Sequence, residues 1–165
     1  MSCDPDSLFA QSQKASREEF IEFALTYVGQ IDYYYGGKAK NPGFSGNGFG
    51  ERVAADKKGR TLRGLDCSGF VSWVYWSVFG VKPGTSTANF VSSLNLRRTT
   101  ADRLVPGDIG YMNQPGSDAG NHIGIFAGYD DATGKAKWVH CVGQPKNTGV
   151  CNTTNCFRYY YSLGK

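Results

Sequence analysis

The stretch from Gly64 to Gly80, GLDCSGFVSWVYWSVFG, constrains the fold more than any other part of the chain. Cys67, Phe70, Val71, Val74 and Val78 fall at helical spacing. The pattern predicts an amphipathic helix over Cys67–Phe79, with Gly80 as its stop. Such a helix must bury its stripe against another layer. Cys67 stands in its first turn. A helix N-terminus carries partial positive charge and unpaired N–H groups, which lower a thiol's pKa. A cysteine on an apolar helix face is ordinarily a small core residue, so position alone leaves both roles open.

Other elements are expected on either side. Upstream, SREEFIEFALTYVG reads as a helix, with Ser16 as N-cap, Glu19 completing a capping box and Gly29 as the stop. Phe20, Ile21, Ala24 and Val28 share one face. DYYYGG (32–37) follows, then a Gly-rich, charged run without a period, read as a surface loop or insertion over about 38–65. TSTANFVSSLN suggests a short helix capped by Thr85 or Ser86. Strands are expected at 107–112, 122–130, 136–143 and 156–162, where β-branched and aromatic residues lie between Gly, Asn and Pro. DDATGK reads as the turn of an antiparallel hairpin. Helices first and strands later is the α+β pattern, with N-terminal helices packed on an antiparallel sheet.

The chain has 165 residues, suited to one domain at 16–165 behind a polar tail at 1–15. It has no apolar run long enough to span a membrane, so no membrane insertion is expected. The first residues lack the apolar segment of a signal peptide. The net charge of +4 is a mild basic bias that suits an anionic polymer. Lys and Arg are too scattered to argue for nucleic acid.

Cys3, Cys67, Cys141, Cys151 and Cys156 are odd in number, so at least one is unpaired within the chain. Cys151 and Cys156 flank the turn-like NTTN and are candidates for a short disulfide loop in an oxidising compartment.

The two histidines, His122 and His140, both lie in the strand region. Alternation puts His140 on one face with Trp138 and Val142, and Cys141 on the other, which makes Cys141 the weaker nucleophile candidate. A nucleophilic thiol at Cys67 needs an imidazole to form a thiolate–imidazolium pair and a polar group to orient that imidazole. The Cys67 N–H is then placed to receive an oxyanion. A strand histidine is more often a satisfied core residue than a catalyst. A zinc set drawn from these residues is disfavoured, because no C-x-x-C pair exists and His140 and Cys141 face apart.

The wording of these pieces resembles the NlpC/P60 family of cell-wall cysteine peptidases over about residues 16–162. DYYYGG is similar to the family's Tyr-x-x-Gly-Gly segment, with Tyr33 in the Tyr position. LDCSGFVSWVY resembles the nucleophile motif, LVPGDIGYM the Pro-Gly-Asp strand, NHIGIFAGYD the strand of the base and KWVHCVG the next strand. The resemblance implies a papain-like α+β core with Cys67 as nucleophile, His122 as general base and His140 as orienting residue. It places the Tyr33 hydroxyl near the oxyanion, and Asp66 and Ser68 where family members recognise the stem peptide. The long connection at 38–65 departs from the family's usual short one and reads as a wall of the substrate groove.

The implied reaction is hydrolysis of the γ-D-glutamyl bond to the diamino acid in peptidoglycan stem peptides, with no metal or organic cofactor. Alternatives are an N-acetylmuramoyl-L-alanine amidase or transpeptidase on the same core, or a non-catalytic wall-binding domain. A monomer acting outside the cell or in the cell wall, or delivered by a phage, is expected.

Overall fold

A computed structural model of the chain describes residues 17–43, 64–116, 121–143, 148–154 and 157–164. The proposed Ser16 cap, most of the 38–65 connection, Cys3 and Cys156 lie outside them. Three helices come first: α1 (residues 17–26), α2 (Cys67–Phe79) and α3 (Phe90–Leu94). Six strands follow: β1 (Arg97–Thr99), β2 (Ile109–Tyr111), β3 (Ile123–Tyr129), β4 (Ala136–Val142), β5 (Gly149–Thr154) and β6 (Tyr159–Ser162). They form one antiparallel sheet in the order β1-β6-β2-β3-β4-β5. The β3–β4 hairpin turns through DDATGK as expected, with the Asp130 N–H donating to the Lys135 carbonyl at 2.8 Å.

α2 has the expected bounds. Gly80 ends it in the left-handed conformation (φ 75°), its N–H donating to the Trp76 carbonyl at 2.9 Å. The amphipathic reading needs correction, because every residue from Ser68 to Tyr75 is buried. α2 packs on β3 and β4, while α1 and the turn after it cover another side: Phe20 stacks on Phe79, and Phe23 and Tyr27 pack on Trp73. The Trp73 indole N–H donates to the Gly43 carbonyl at 3.1 Å, which satisfies its polar atom within the core. Enclosure on several sides, rather than one stripe, makes α2 the central helix. Full burial of each large apolar side chain favours folding by about 1.5–3 kcal/mol.

Three other expectations change. α1 stops at residue 26 rather than running to Val28, and a turn of i→i−3 bonds follows. There the chain is captured by β5: the Gly29 N–H donates to the Val150 carbonyl at 2.8 Å, and the Val150 N–H to the Ile31 carbonyl at 2.9 Å. α3 is capped not by Thr85 or Ser86 but begins at Asn89, which makes no side-chain cap bond. Ser86 and Asn89 instead close the preceding turn, each side chain accepting from the other's backbone N–H. Finally, Asn152–Thr154 of the turn-like NTTN belong to strand β5, held by continuous pairing with β4.

Asp108, in the Pro-Gly-Asp segment, is a structural anchor. Its buried carboxylate pairs with Arg17 at 3.0 Å and accepts the backbone N–H groups of Val105 and Leu163. It thereby ties the start of α1 and the C-terminal residues to β2.

Candidate active site

The nucleophile candidate is positioned by its neighbour. Asp66 is the N-cap of α2, its Oδ1 accepting from the Gly69 N–H at 2.6 Å, which makes Cys67 the first helical residue. Its backbone N–H belongs to the first turn, where no intrahelical acceptor exists. The Cys67 sulfur lies against the backbone N–H groups of Ile123 and Ser68. Ile123 directly follows His122, so α2 and the start of β3 meet at the thiol.

His122 is fixed by backbone bonds on both sides. Its N–H donates to Asn121 Oδ1 at 2.9 Å, and its carbonyl accepts from the Met112 N–H at 3.0 Å. Its Nε2 lies 2.7 Å from His140 Nδ1. His140, buried in β4, places Nε2 at 2.7 Å from Thr153 Oγ1 on β5. Alternation works as expected: Val139 and Cys141 enter the core under α2, while Trp138 and His140 take the other face. The Cys141 thiol, turned from the histidines, donates to the Leu65 carbonyl at 3.1 Å.

Phe157 covers the histidine pair. Its ring stacks on His122 (centroids 5.6 Å, 17° between planes) and meets His140 edge-on at 5.9 Å. Gly124 makes room for it, since a Cβ there would lie 2.9 Å from Phe157 Cζ.

Burial sets the charge state. It pushes His122 down to about 4, and together with the neighbouring His122 it pushes His140 down to about 3. Burial, then the Asp66 carboxylate, push the Cys67 thiol up. The Ile123 and Ser68 N–H groups and the Lys38 ammonium oppose this without reversing it. Burial thus works against the charged forms of the thiol and of both imidazoles, while the helix terminus, the N–H groups and the Lys38 ammonium favour the thiolate. A helix terminus is worth a few tenths to about 1 kcal/mol at a surface, less than burying a thiolate costs.

Tyr33 reaches the site through a parallel bridge to Leu65, two residues before Cys67. Its ring lies over Gly143, where a Cβ would come within 2.4 Å of it. Burial, then the Cys67 and Asp66 charges, raise its phenol to about 12, so it remains a hydrogen-bond donor.

Asp66 and Ser68 are brought together by a residue sequence reasoning missed. Lys38 Nζ donates to both Asp66 carboxylate oxygens at 2.7 Å, to Ser68 Oγ at 3.1 Å and to the Thr85 carbonyl at 2.7 Å. Thr153 and Phe157 were missed as well. The one available signal for Thr153 is its place two residues from Cys151, on one face of a strand whose residue types are those of a turn. Among the described residues, no group of three or more His, Cys, Asp or Glu side chains is placed to hold a metal ion.

The NlpC/P60 family model matches residues 29–153. The chain belongs to the NlpC/P60 family. Solved NlpC/P60 structures share its fold. The peptidoglycan hydrolase RipB of Mycobacterium tuberculosis is 17% identical with a TM-score of 0.64, the match covering 91% of this chain and 65% of RipB. The NlpC/p60 domain of the peptidoglycan hydrolase SagA is 20% identical with a TM-score of 0.59, covering 89% and 98%. RipD of Mycobacterium tuberculosis, described as a non-catalytic NlpC/p60 domain protein adapted to peptidoglycan binding, is 13% identical with a TM-score of 0.61, covering 90% and 97%. At these identities the likeness is one of fold. No curated protein matches the chain in sequence. No helix among the described residues of this NlpC/P60 chain is long and apolar enough to cross a membrane.

Proposed function

We propose that this NlpC/P60 domain is a cysteine endopeptidase that cleaves peptidoglycan stem peptides at the γ-D-glutamyl bond to the diamino acid. The observation that carries the reading is the 2.7 Å contact between His122 Nε2 and His140 Nδ1. It leaves His122 Nδ1, without a hydrogen bond among the described residues, as the nitrogen available to the thiol. A buried imidazole of low basicity and a thiol whose charged form burial disfavours suit a general base that acts as the thiol attacks.

In this mechanism His122 takes the Cys67 proton and the sulfur attacks the scissile carbonyl. The Cys67 N–H and the Tyr33 hydroxyl donate to the oxyanion. The intermediate collapses to a thioester as the leaving amine takes the proton from His122. Water, deprotonated by His122, then attacks the thioester and releases Cys67 as a thiol. Side chains, backbone N–H groups and water suffice for every step.

The test is digestion of purified peptidoglycan by the wild-type protein and by Cys67→Ala, with products read by mass. Fragments ending in D-glutamate with new free amines, absent with the variant, are expected. His140→Ala is expected to slow release less than His122→Ala, because an orienting group is more replaceable than the base. Release of whole stem peptides would replace the endopeptidase with an amidase. Binding to the wall without release by wild-type protein would place the chain with RipD as a binding domain.

A further inference from the structure

The histidine pair does not end at His140. His140 Nε2 lies 2.7 Å from the Thr153 hydroxyl, in a strand otherwise concerned with pairing to β4. We propose that Thr153 is a positioning residue that fixes the tautomer of both histidines, so that the unprotonated nitrogen of His122 is Nδ1, the one not taken by His140.

A neutral imidazole carries one N–H and one lone pair. Across the His122–His140 contact a single proton sits between the rings, and it has two arrangements. In the first, His122 Nε2–H donates to His140 Nδ1 and His140 Nε2–H donates to Thr153 Oγ1, leaving His122 Nδ1 bare. In the second, His140 Nδ1–H donates to His122 Nε2 and the threonine hydroxyl donates to His140 Nε2. His122 Nδ1 then carries the proton and cannot accept one from the thiol.

The surroundings of Thr153 select between them. Cys151 lies two residues away on the same face of β5, opposite His140 in the strand register. The Thr153 hydroxyl bonds to its sulfur: burial raises the Cys151 thiol and this bond lowers it. A hydroxyl whose proton turns to Cys151 presents a lone pair to His140, which is the first arrangement. The same arrangement serves the charged step. When His122 gains a proton, its Nε2–H still finds an acceptor in His140 Nδ1, whereas the second arrangement would set two N–H groups against each other.

The role rests on the hydrolytic reading, but its first test does not. Two-bond ¹H–¹⁵N correlations of the imidazole rings in the intact protein report which nitrogen of each ring carries the proton. Protonation at Nε2 of both rings is expected in wild-type protein and in Thr153→Ser. Thr153→Val, which keeps the shape and removes the acceptor, is expected to shift His140 toward Nδ1 protonation. If the protein hydrolyses peptidoglycan, Thr153→Val should also lower kcat about tenfold with KM little changed, and Thr153→Ser should stay within about twofold of wild type. Protonation at Nδ1 of His122 in wild-type protein would overturn the proposal. So would an unchanged pattern in Thr153→Val, or equal impairment of the Ser and Val variants, which would mark a packing role. Absence of hydrolysis with the expected pattern would count against the peptidase reading alone.

Discussion

Lys38 donates to both carboxylate oxygens of Asp66 at 2.7 Å, so the residue that caps the nucleophile helix is itself held by a chain segment distant in sequence. The two charges act on Cys67 in opposite senses, Asp66 raising its pKa and Lys38 lowering it. Lys38→Met should raise the thiol pKa further, because it leaves the carboxylate uncompensated, and Asp66→Asn should lower it. The Lys38 side chain is 33% exposed, so its loss is expected to cost only about 1 kcal/mol of stability. The rate of Cys67 alkylation against pH measures the first effect and urea unfolding the second. Shifts of the same sign in the two variants would refute the account.

Stability should fall in mild acid because of the histidines. Both have folded pKa values below 6.5, near 4 for His122 and 3 for His140, with burial as the main cause. Between those values and 6.5 the unfolded chain binds protons that the folded chain refuses, so stability rises with pH across that window. The contribution is complete above about pH 6.5 and declines as pH falls toward 4. Urea midpoints recorded from pH 7 to pH 4.5 should drop in wild-type protein and flatten in His140→Gln. Parallel profiles for the two proteins would assign the acid sensitivity to carboxylates instead.

Gly124 is required by the ring that covers the histidines. Added as alanine, its Cβ would meet Phe157 Cζ at 2.9 Å and His140 Cβ at 3.3 Å. The backbone there tolerates any residue, so the cost is one of packing. Gly124→Ala should lose about 1–3 kcal/mol by overpacking. Phe157→Leu, which shortens the intruding ring, should recover part of it. Additive losses in the double variant, measured by urea unfolding, would show that the two positions do not touch.

α2 was legible in sequence because its signals are local: an apolar period over Cys67–Phe79 and a glycine stop. The strands with alternating β-branched and aromatic residues were legible for the same reason. β5 was not, since Asn152, Thr153 and Thr154 have turn chemistry and only their place in a run of six successive pairs with β4 makes them a strand. β1 is the same case, a short polar run made a strand by pairing with β6. Thr153 was lost with β5. Lys38 was hidden differently: it begins a glycine-rich run with no period, and its value lies in three contacts brought together from 28 to 47 residues away. Reading the residue types around Cys67 gave the positions of the thiol and histidines. It did not give the opposing pull on the thiol, because burial is a property of the assembled fold.

Burial and neighbouring groups separate the thiols by environment. Cys67, Cys141 and Cys151 are free among the described residues. Cys141 is fully buried, burial pushes its pKa up strongly, and its proton is held by the Leu65 carbonyl. Its thiolate is scarce and its sulfur is out of reach of solvent, the two conditions that make a cysteine inert. Cys67 is also raised, but it is partly exposed, and N–H groups and an ammonium favour its charged form. Iodoacetamide added to the native protein at pH 8 should therefore modify Cys67 at least about ten times faster than Cys141, with peptide masses locating the label. Urea should abolish the difference, since the unfolded chain gives both thiols the same solvent. Cys141→Ala should destabilise the fold by about 1–2 kcal/mol while leaving the Cys67 labelling rate unchanged. Equal labelling of the two thiols in the folded protein would mean that the core under α2 opens far more readily than its packing implies.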